Sequence, residues 1–279
     1  MMFVDVHAHL NFPDYKNDID EVIRRAQEKN VLIINVGTGR ESSRKAVETA
    51  HQYPETIWAA AGHHPTEKEI FSREFYEKLA ADIKVVAVGE CGLDYAVFVR
   101  ERIKRLQKRA SAEVESESEG GLRQEIREIK KQKEIFIKHI ELAGELKKPL
   151  MIHCRDAFGD LIEILKLKSG FLNSPPGVIH FFTGSKENAE ILLEMGFYFS
   201  FGGLITFNRS LDGVVDFIPL ERILLETDSP FVAPASYRGK RNEPAYIIEA
   251  AKKLAELKNV SLEKISDETF SNAQKLFAL

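Results

Sequence analysis

Short apolar runs rich in β-branched residues recur along the chain at 3–7, 31–36, 57–62, 84–90, 149–154, 177–182, 196–202 and 222–228. Each has the length and composition of a buried strand. Between them lie amphipathic, charge-decorated segments at 17–30, 40–52, 72–81, 132–147, 157–168 and 185–195, which read as helices. Two more helical patterns occupy the tail, one starting near Pro244, where proline suits a first turn, and one following Ser261. Strands alternating with helices predict a parallel sheet, and eight such units predict a closed (β/α)8 TIM barrel in which residues 1–279 form a single domain.

One stretch, 96–131, breaks this alternation directly after the fourth strand. Val99, Ile103, Leu106 and Ala110 are spaced 4, 3 and 4 residues apart, as are Leu122, Ile126, Ile129 and Lys133, with Gly120 and Gly121 between the two series. The spacing predicts an inserted helical hairpin on the side of the barrel that carries active sites. Its role is open between a lid, a substrate-gripping arm, a dimer contact and a solvated insertion without catalytic part. The Glu/Ser run at 113–119 predicts a mobile turn.

The strand ends carry the chemistry. His7 and His9 close the first run, Glu90 the fourth, His153 the fifth, His180 the sixth and Asp228 the eighth. Strand residues alternate between faces, and active sites of barrels sit at the C-terminal mouth. His7 and His9 therefore share a face, Glu90 shares one with Val86 and Val88, and Asp228 with Leu224 and Glu226. Four imidazoles and two carboxylates gathered at one rim are what a two-metal hydrolytic centre needs, and a carboxylate closing a run of valines needs a partner. Glu226 and Asp5, two residues deeper, are expected to orient the ligating imidazoles. Asp228 is the group best placed to orient a water between the ions and take its proton.

Composition narrows the class of substrate. A net charge of −4 argues against a protein that grips long nucleic acid through a broad basic surface. An anionic substrate must be held locally, by cations and by Arg155, Arg238, Lys240 and Arg241, whose other reading is surface salt bridges. Asn242 and Glu243 are expected to begin the following helix. Gly37 and Gly39 lack the spacing of a phosphate loop and read as a turn. Cys91 and Cys154 are too few for a disulfide framework and read as buried thiols. His63 reads as structural, and His51 and His139 as solvated or packing residues of helices. No apolar run approaches the roughly 18 to 20 residues of a membrane span, and the first strand begins too early for a signal peptide. The expected location is the cytoplasm, with no membrane and no obligate protein partner.

HAHL at 7–10, GHHP at 62–65, GECGLDY at 89–95, IHCRDA at 152–157, HFFTG at 180–184, ETDSP at 226–230 and RGKRNEP at 238–244 together resemble the TatD-family metal-dependent deoxyribonucleases, within the amidohydrolase-like metal barrels. The resemblance spans the chain outside the insertion. It implies that His7, His9 and Asp228 hold one divalent ion, that His153 and His180 hold a second, and that Glu90 bridges both. His64, which matches the family's Gly-x-His-Pro, is open between substrate contact or proton donation and a structural strand-end role. The implied activity is phosphodiester cleavage of DNA, at ends or in single strands, with Mg, Mn or Zn as the metal. Alternatives are amidohydrolase-type cleavage of C–N or carboxylic ester bonds, including aminoacyl-tRNA esters, and a non-catalytic metal-stabilised scaffold. The chain departs from the family pattern where Ala96 and the insertion follow GLDY, which puts in doubt a substrate contact made by an arginine there. It departs again at Phe181, where many relatives carry cysteine.

Overall fold

A computed structural model describes residues 1–99 and 119–279. Its centre is one parallel sheet of eight strands in sequence order. These are β1 (Phe3–Ala8), β2 (Val31–Val36), β3 (Ile57–Ala61), β4 (Val85–Asp94), β5 (Leu150–Arg155), β6 (Gly177–Ile179), β7 (Tyr198–Phe201) and β8 (Ile223–Leu225). Backbone bonds close the ring just past β8: Asp228 N–H donates to His7 O at 2.8 Å and His9 N–H to Ser229 O at 2.8 Å. The fold is a TIM barrel.

Alternation along the strands builds two cores. Val4, Val6, Ile34, Val36, Ala60, Ala87, Met151, Val178 and Leu224 pack together inside the ring. The last helix, Leu262–Phe277, contributes Ala273, Leu276 and Phe277 to that cluster and so plugs the end of the barrel remote from the site. The opposite parity, with Phe3, Ile33, Ala59, Val85, Leu150, Ile179, Phe199 and Ile223, meets the surrounding helices. Among these are α1 (Ile19–Glu28), α2 (Arg40–Gln52), α3 (Arg73–Ala80) and α4 (Glu119–Leu146). Ser261 caps the last helix by accepting from Lys264 N–H.

Four elements differ from the sequence pattern. β6 and β8 stop at Ile179 and Leu225, because Phe181 and Asp228 adopt left-handed backbone (φ 48° and 53°) that leaves the extended path. β4 instead runs four residues past Glu90 to Asp94. The helix expected to start at 132 starts at Glu119, so Gly120 and Gly121 lie within α4 rather than between two arms. The second arm of the expected hairpin is therefore an N-terminal extension of α4. Its apolar series runs in phase with buried Phe136 and Ile140, yet Ile126 is 58% exposed. Residues 96–99 form a helical turn, with Val99 N–H donating to Tyr95 O. Ile103, Leu106, Ala110 and most of the 113–119 run lie outside the described residues. No helix among the described residues is long and apolar enough to cross a membrane.

Candidate metal centre

A register shift in β1 between Asp5 and Ala8 turns His7 and His9 toward the C-terminal mouth. Their Nε2 atoms lie 3.2 Å apart. Glu90 Oε2 is 3.4 Å from His7 Nε2 and 3.8 Å from His9 Nε2, and Asp228 Oδ1 is 3.8 and 3.4 Å from the same two nitrogens. The other oxygen of Glu90, Oε1, faces a second group, 2.9 Å from His180 Nε2 and 3.0 Å from His153 Nδ1. Those two nitrogens are 3.2 Å apart. The six side chains named at the strand ends thus meet at one rim, with the Glu90 carboxylate between two sets.

Second partners fix which nitrogen of His9 and of His153 faces inward, and a carboxylate stands behind His180. His9 Nδ1 donates to Val36 O at 2.9 Å. His153 Nε2 lies 3.1 Å from Asp94 Oδ2, and His180 Nδ1 is 3.7 Å from Glu226 Oε2, which accepts from Ser200 Oγ at 2.6 Å. His7 stacks on His180, ring centres 3.9 Å apart. Asp5 departs from expectation. It accepts from His7 N–H, Thr227 N–H and Thr227 Oγ1–H, tying β1 to the segment after β8, and touches no imidazole. The bulge at this point puts its carboxylate between the strands. Burial pushes that carboxyl up to about 8.

Electrostatics favour ionised carboxylates at the centre. Burial opposes the charge of Glu90, but the facing imidazoles of His64, His180 and His7 and the His153 hydrogen bond outweigh it and hold the group well below the usual range. Asp228 is likewise pulled up by burial and more strongly down by the His9 hydrogen bond and the neighbouring rings. His64 stands 3.4 Å from Glu90 Oε1 through Nε2. Its Nδ1 accepts from Thr66 N–H at 3.2 Å, which leaves the hydrogen on Nε2. Burial lowers its pKa to about 4, so the ring is neutral at pH 7.

The centre opens into a cavity of about 730 Å³ whose wall includes His64, Phe12, Arg155, Phe231 and Val232. The four basic side chains proposed for substrate fare differently. Arg155 is exposed, lines the cavity and makes no ion pair among the described residues. Arg238 lies over the Phe207 ring at 4.2 Å and Lys240 over Tyr237 at 5.8 Å; both are exposed, and neither lines the cavity. Arg241 is not free to hold phosphate. Its guanidinium forks onto Asp18 at 2.8 and 2.6 Å, donates to Asp14 O and covers Tyr15, because a carboxylate on the neighbouring chain segment matches its geometry.

The same motif holds two further corrections. Asn242 does not begin a helix: fully buried, its Nδ2 donates to Thr227 O and Phe231 O, each at 2.8 Å. Glu243 takes a bidentate bond from Arg25 and stands just before the short turn Pro244–Tyr246 with no side-chain capping bond to it; the turn leads into the helix Ile247–Lys258. His139 is packed rather than solvated. It is fully buried, its Nε2 accepting from His63 N–H, while His51 is exposed and pairs with Asp82. Cys91 and Cys154 are buried free thiols. Sequence reasoning missed Asp94, although it shares strand parity with Glu90 and lies within GECGLDY.

The donor set around Glu90 Oε2 fits a divalent ion. Four donors around an ion at roughly 2.1 Å stand roughly 3.4 Å apart, and the contacts around Glu90 Oε2 fall between 3.2 and 3.8 Å. Gathering four imidazoles and two carboxylates, four of them buried and His153 and Asp228 half-buried, is costly unless they share cations or protons.

A family model described as TatD related DNase matches residues 4–278. The chain is 38% identical to an uncharacterized metal-dependent hydrolase, YabD, of Bacillus subtilis, with all of both chains covered. It is 31% identical to the 3'-5' ssDNA/RNA exonuclease TatD of Edwardsiella piscicida, covering 99% of each. Among solved structures, the TatD homologue YjjV of Escherichia coli superposes with a TM-score of 0.80 at 26% identity, covering 99% of this chain and 98% of that one. The chain belongs to the TatD-related DNase family of metal-dependent hydrolases.

Proposed function

We propose that the protein hydrolyses phosphodiester bonds in DNA, at ends or in single strands, at a centre of two divalent ions. The observation that carries this reading is Glu90, whose two carboxylate oxygens face separate donor sets. His7, His9 and Asp228 would hold one ion with Oε2, and His153 and His180 the other with Oε1. When bound, such ions polarise a phosphoryl oxygen and acidify water near neutral pH. Imidazole nitrogens favour Mn or Zn, and the carboxylates also admit Mg.

The chain's own groups then have distinct tasks. Asp228 lines the cavity and is ionised, so its carboxylate can orient the attacking water and accept its proton. His64 presents Nε2–H toward the centre and can donate to a phosphoryl or leaving oxygen. Arg155, on the cavity wall, supplies the guanidinium for a phosphate of the strand. Arg238 and Lys240, outside the cavity, would meet only a strand extending beyond it. The name of the Edwardsiella relative supports a single-stranded substrate.

The test is an assay of metal-stripped protein re-supplied in turn with Mg, Mn and Zn, on end-labelled single-stranded DNA beside a carboxylic ester. Metal-restored cleavage of DNA is expected. Cleavage of the ester alone would overturn the nuclease reading in favour of amidohydrolase-type chemistry, and cleavage of neither would favour a scaffold.

A further inference from the structure

At the cavity mouth, beside the His7 and His9 set, two aromatic rings form a corner that packing does not require. Phe12 lies flat against the His9 ring, centres 4.5 Å apart and planes 12° from parallel. Phe231 stands at 74° to Phe12 with centres 6.1 Å apart, and 6.2 Å from the His9 ring. Both line the cavity, and Phe231 is 49% exposed, which core packing cannot explain.

The backbone beneath this corner is held rigid. Phe231 N–H donates to Asp228 O at 2.9 Å, and Asn242 ties down the carbonyls of Thr227 and Phe231 while its own N–H donates to Pro230 O. Val232, next in the chain, is kept at φ 44°, a conformation that β-branched residues rarely adopt and that surrounding structure must enforce. An exposed phenylalanine on an immobilised, strained loop beside a polar centre is a pre-organised contact surface.

We propose that Phe231 and Phe12 form a stacking subsite for the nucleobase next to the phosphodiester bond that is cut. The inference rests on the nuclease reading and adds a substrate subsite to it. Two rings nearly at right angles offer a planar base one face contact and one edge contact, the arrangements that aromatic pairs favour. Stacking tolerates every base, because each has a π-face, so the subsite confers preference for nucleotides without sequence preference. A phosphate at the centre and a base in this corner belong to one nucleotide, with the sugar spanning the short gap beside His9. The remaining wall carries Arg155 as its lone arginine or lysine among the described residues, in keeping with a single further phosphate contact.

The test compares kcat/KM on a single-stranded oligodeoxynucleotide with that on an oligomer of equal length in which tetrahydrofuran residues replace every base. Wild-type protein is expected to prefer the base-bearing oligomer by on the order of ten- to a hundredfold, the usual worth of one base stacked on one aromatic ring. In Phe231→Ala the preference should collapse toward unity, mainly through KM, and Phe231→Trp should restore it. An undiminished preference in Phe231→Ala, or none in the wild type, would overturn the subsite and leave the nuclease reading standing. Cleavage of neither oligomer by the wild type would overturn the nuclease reading and the subsite with it.

Discussion

Asp94 decides which nitrogen of His153 is available. With Oδ2 at 3.1 Å from Nε2 it accepts that N–H and leaves Nδ1 facing Glu90 and His180. Its own position is fixed by Gln132, which accepts from Asp94 N–H at 2.9 Å and donates to Asp94 O at 3.1 Å, and by Ala96 N–H on Oδ1. A carboxylate behind a ligating imidazole typically accounts for 10- to 100-fold in metal affinity. On the proposed two-ion reading, Asp94→Asn should therefore weaken the ion held by His153 by about that factor and spare the one held by His7 and His9, read as a split in a two-site chelator-competition titration. Asp228→Asn, which keeps shape but loses the proton acceptor, should lower kcat by about 10²- to 10⁴-fold with an unchanged circular dichroism spectrum. Normal turnover in that variant would remove Asp228 from the proton-transfer role.

At the scale of elements, two packed layers carry unusual polar groups. The segment after β8 is clamped by the buried Asn242 amide, which also accepts from Glu243 N–H at 3.0 Å. Asn242→Ala leaves buried carbonyls unpaired, at about 1–3 kcal/mol for each group. Thermal unfolding should show a drop of that order, and activity should fall with it because Asp228 and Phe231 ride on the same segment. The second layer lies outside β3, where His63 and His139 are buried with Phe71 and Tyr76. Burial lowers both histidines from 6.5 to about 4, so the folded protein keeps them neutral while the unfolded chain protonates them below 6.5. Stability from this layer is complete above pH 6.5 and is lost as pH falls toward 4. Between pH 7 and 5 the loss is about 2 kcal/mol per histidine. Urea unfolding of His139→Gln should show a pH dependence flatter by that amount; an unaltered slope would mean that His139 is not held neutral.

Across the whole molecule, the candidate centre joins β1, β4, β5 and β6 to the segment after β8, so ions bound there would cross-link both halves of the barrel. Ligands that bind only the folded state stabilise it by mass action, about 2.7 kcal/mol for one site at a hundredfold excess over Kd. Differential scanning calorimetry should show a lower midpoint with chelator and recovery on adding back Mn or Zn. A midpoint indifferent to both would count against a metal centre of this kind. The plug of Ala273, Leu276 and Phe277 at the far end makes the mouth the accessible end of the barrel interior.

Alternating apolar positions and eight strand-like runs determined the barrel, because a two-residue period admits little else when helices intervene. They also determined that His7, His9, Glu90, His153, His180 and Asp228 meet, since each lies in or just beyond the mouth-side part of a strand and a parallel barrel brings those ends to one rim. What tertiary structure alone decided depends on partners far apart in sequence. Arg241 looks as apt for phosphate as Arg155 until Asp18 is seen beside it, and Asp94 is one more strand acid until the ring of His153 arrives across β5. The continuation of α4 through Gly120 and Gly121, the bulge that turns Asp5 from the rings and the burial of His139 were equally illegible. A linear pattern fixes which face a residue shares, whereas hydrogen-bond geometry is set by which side chains the closed barrel presses together.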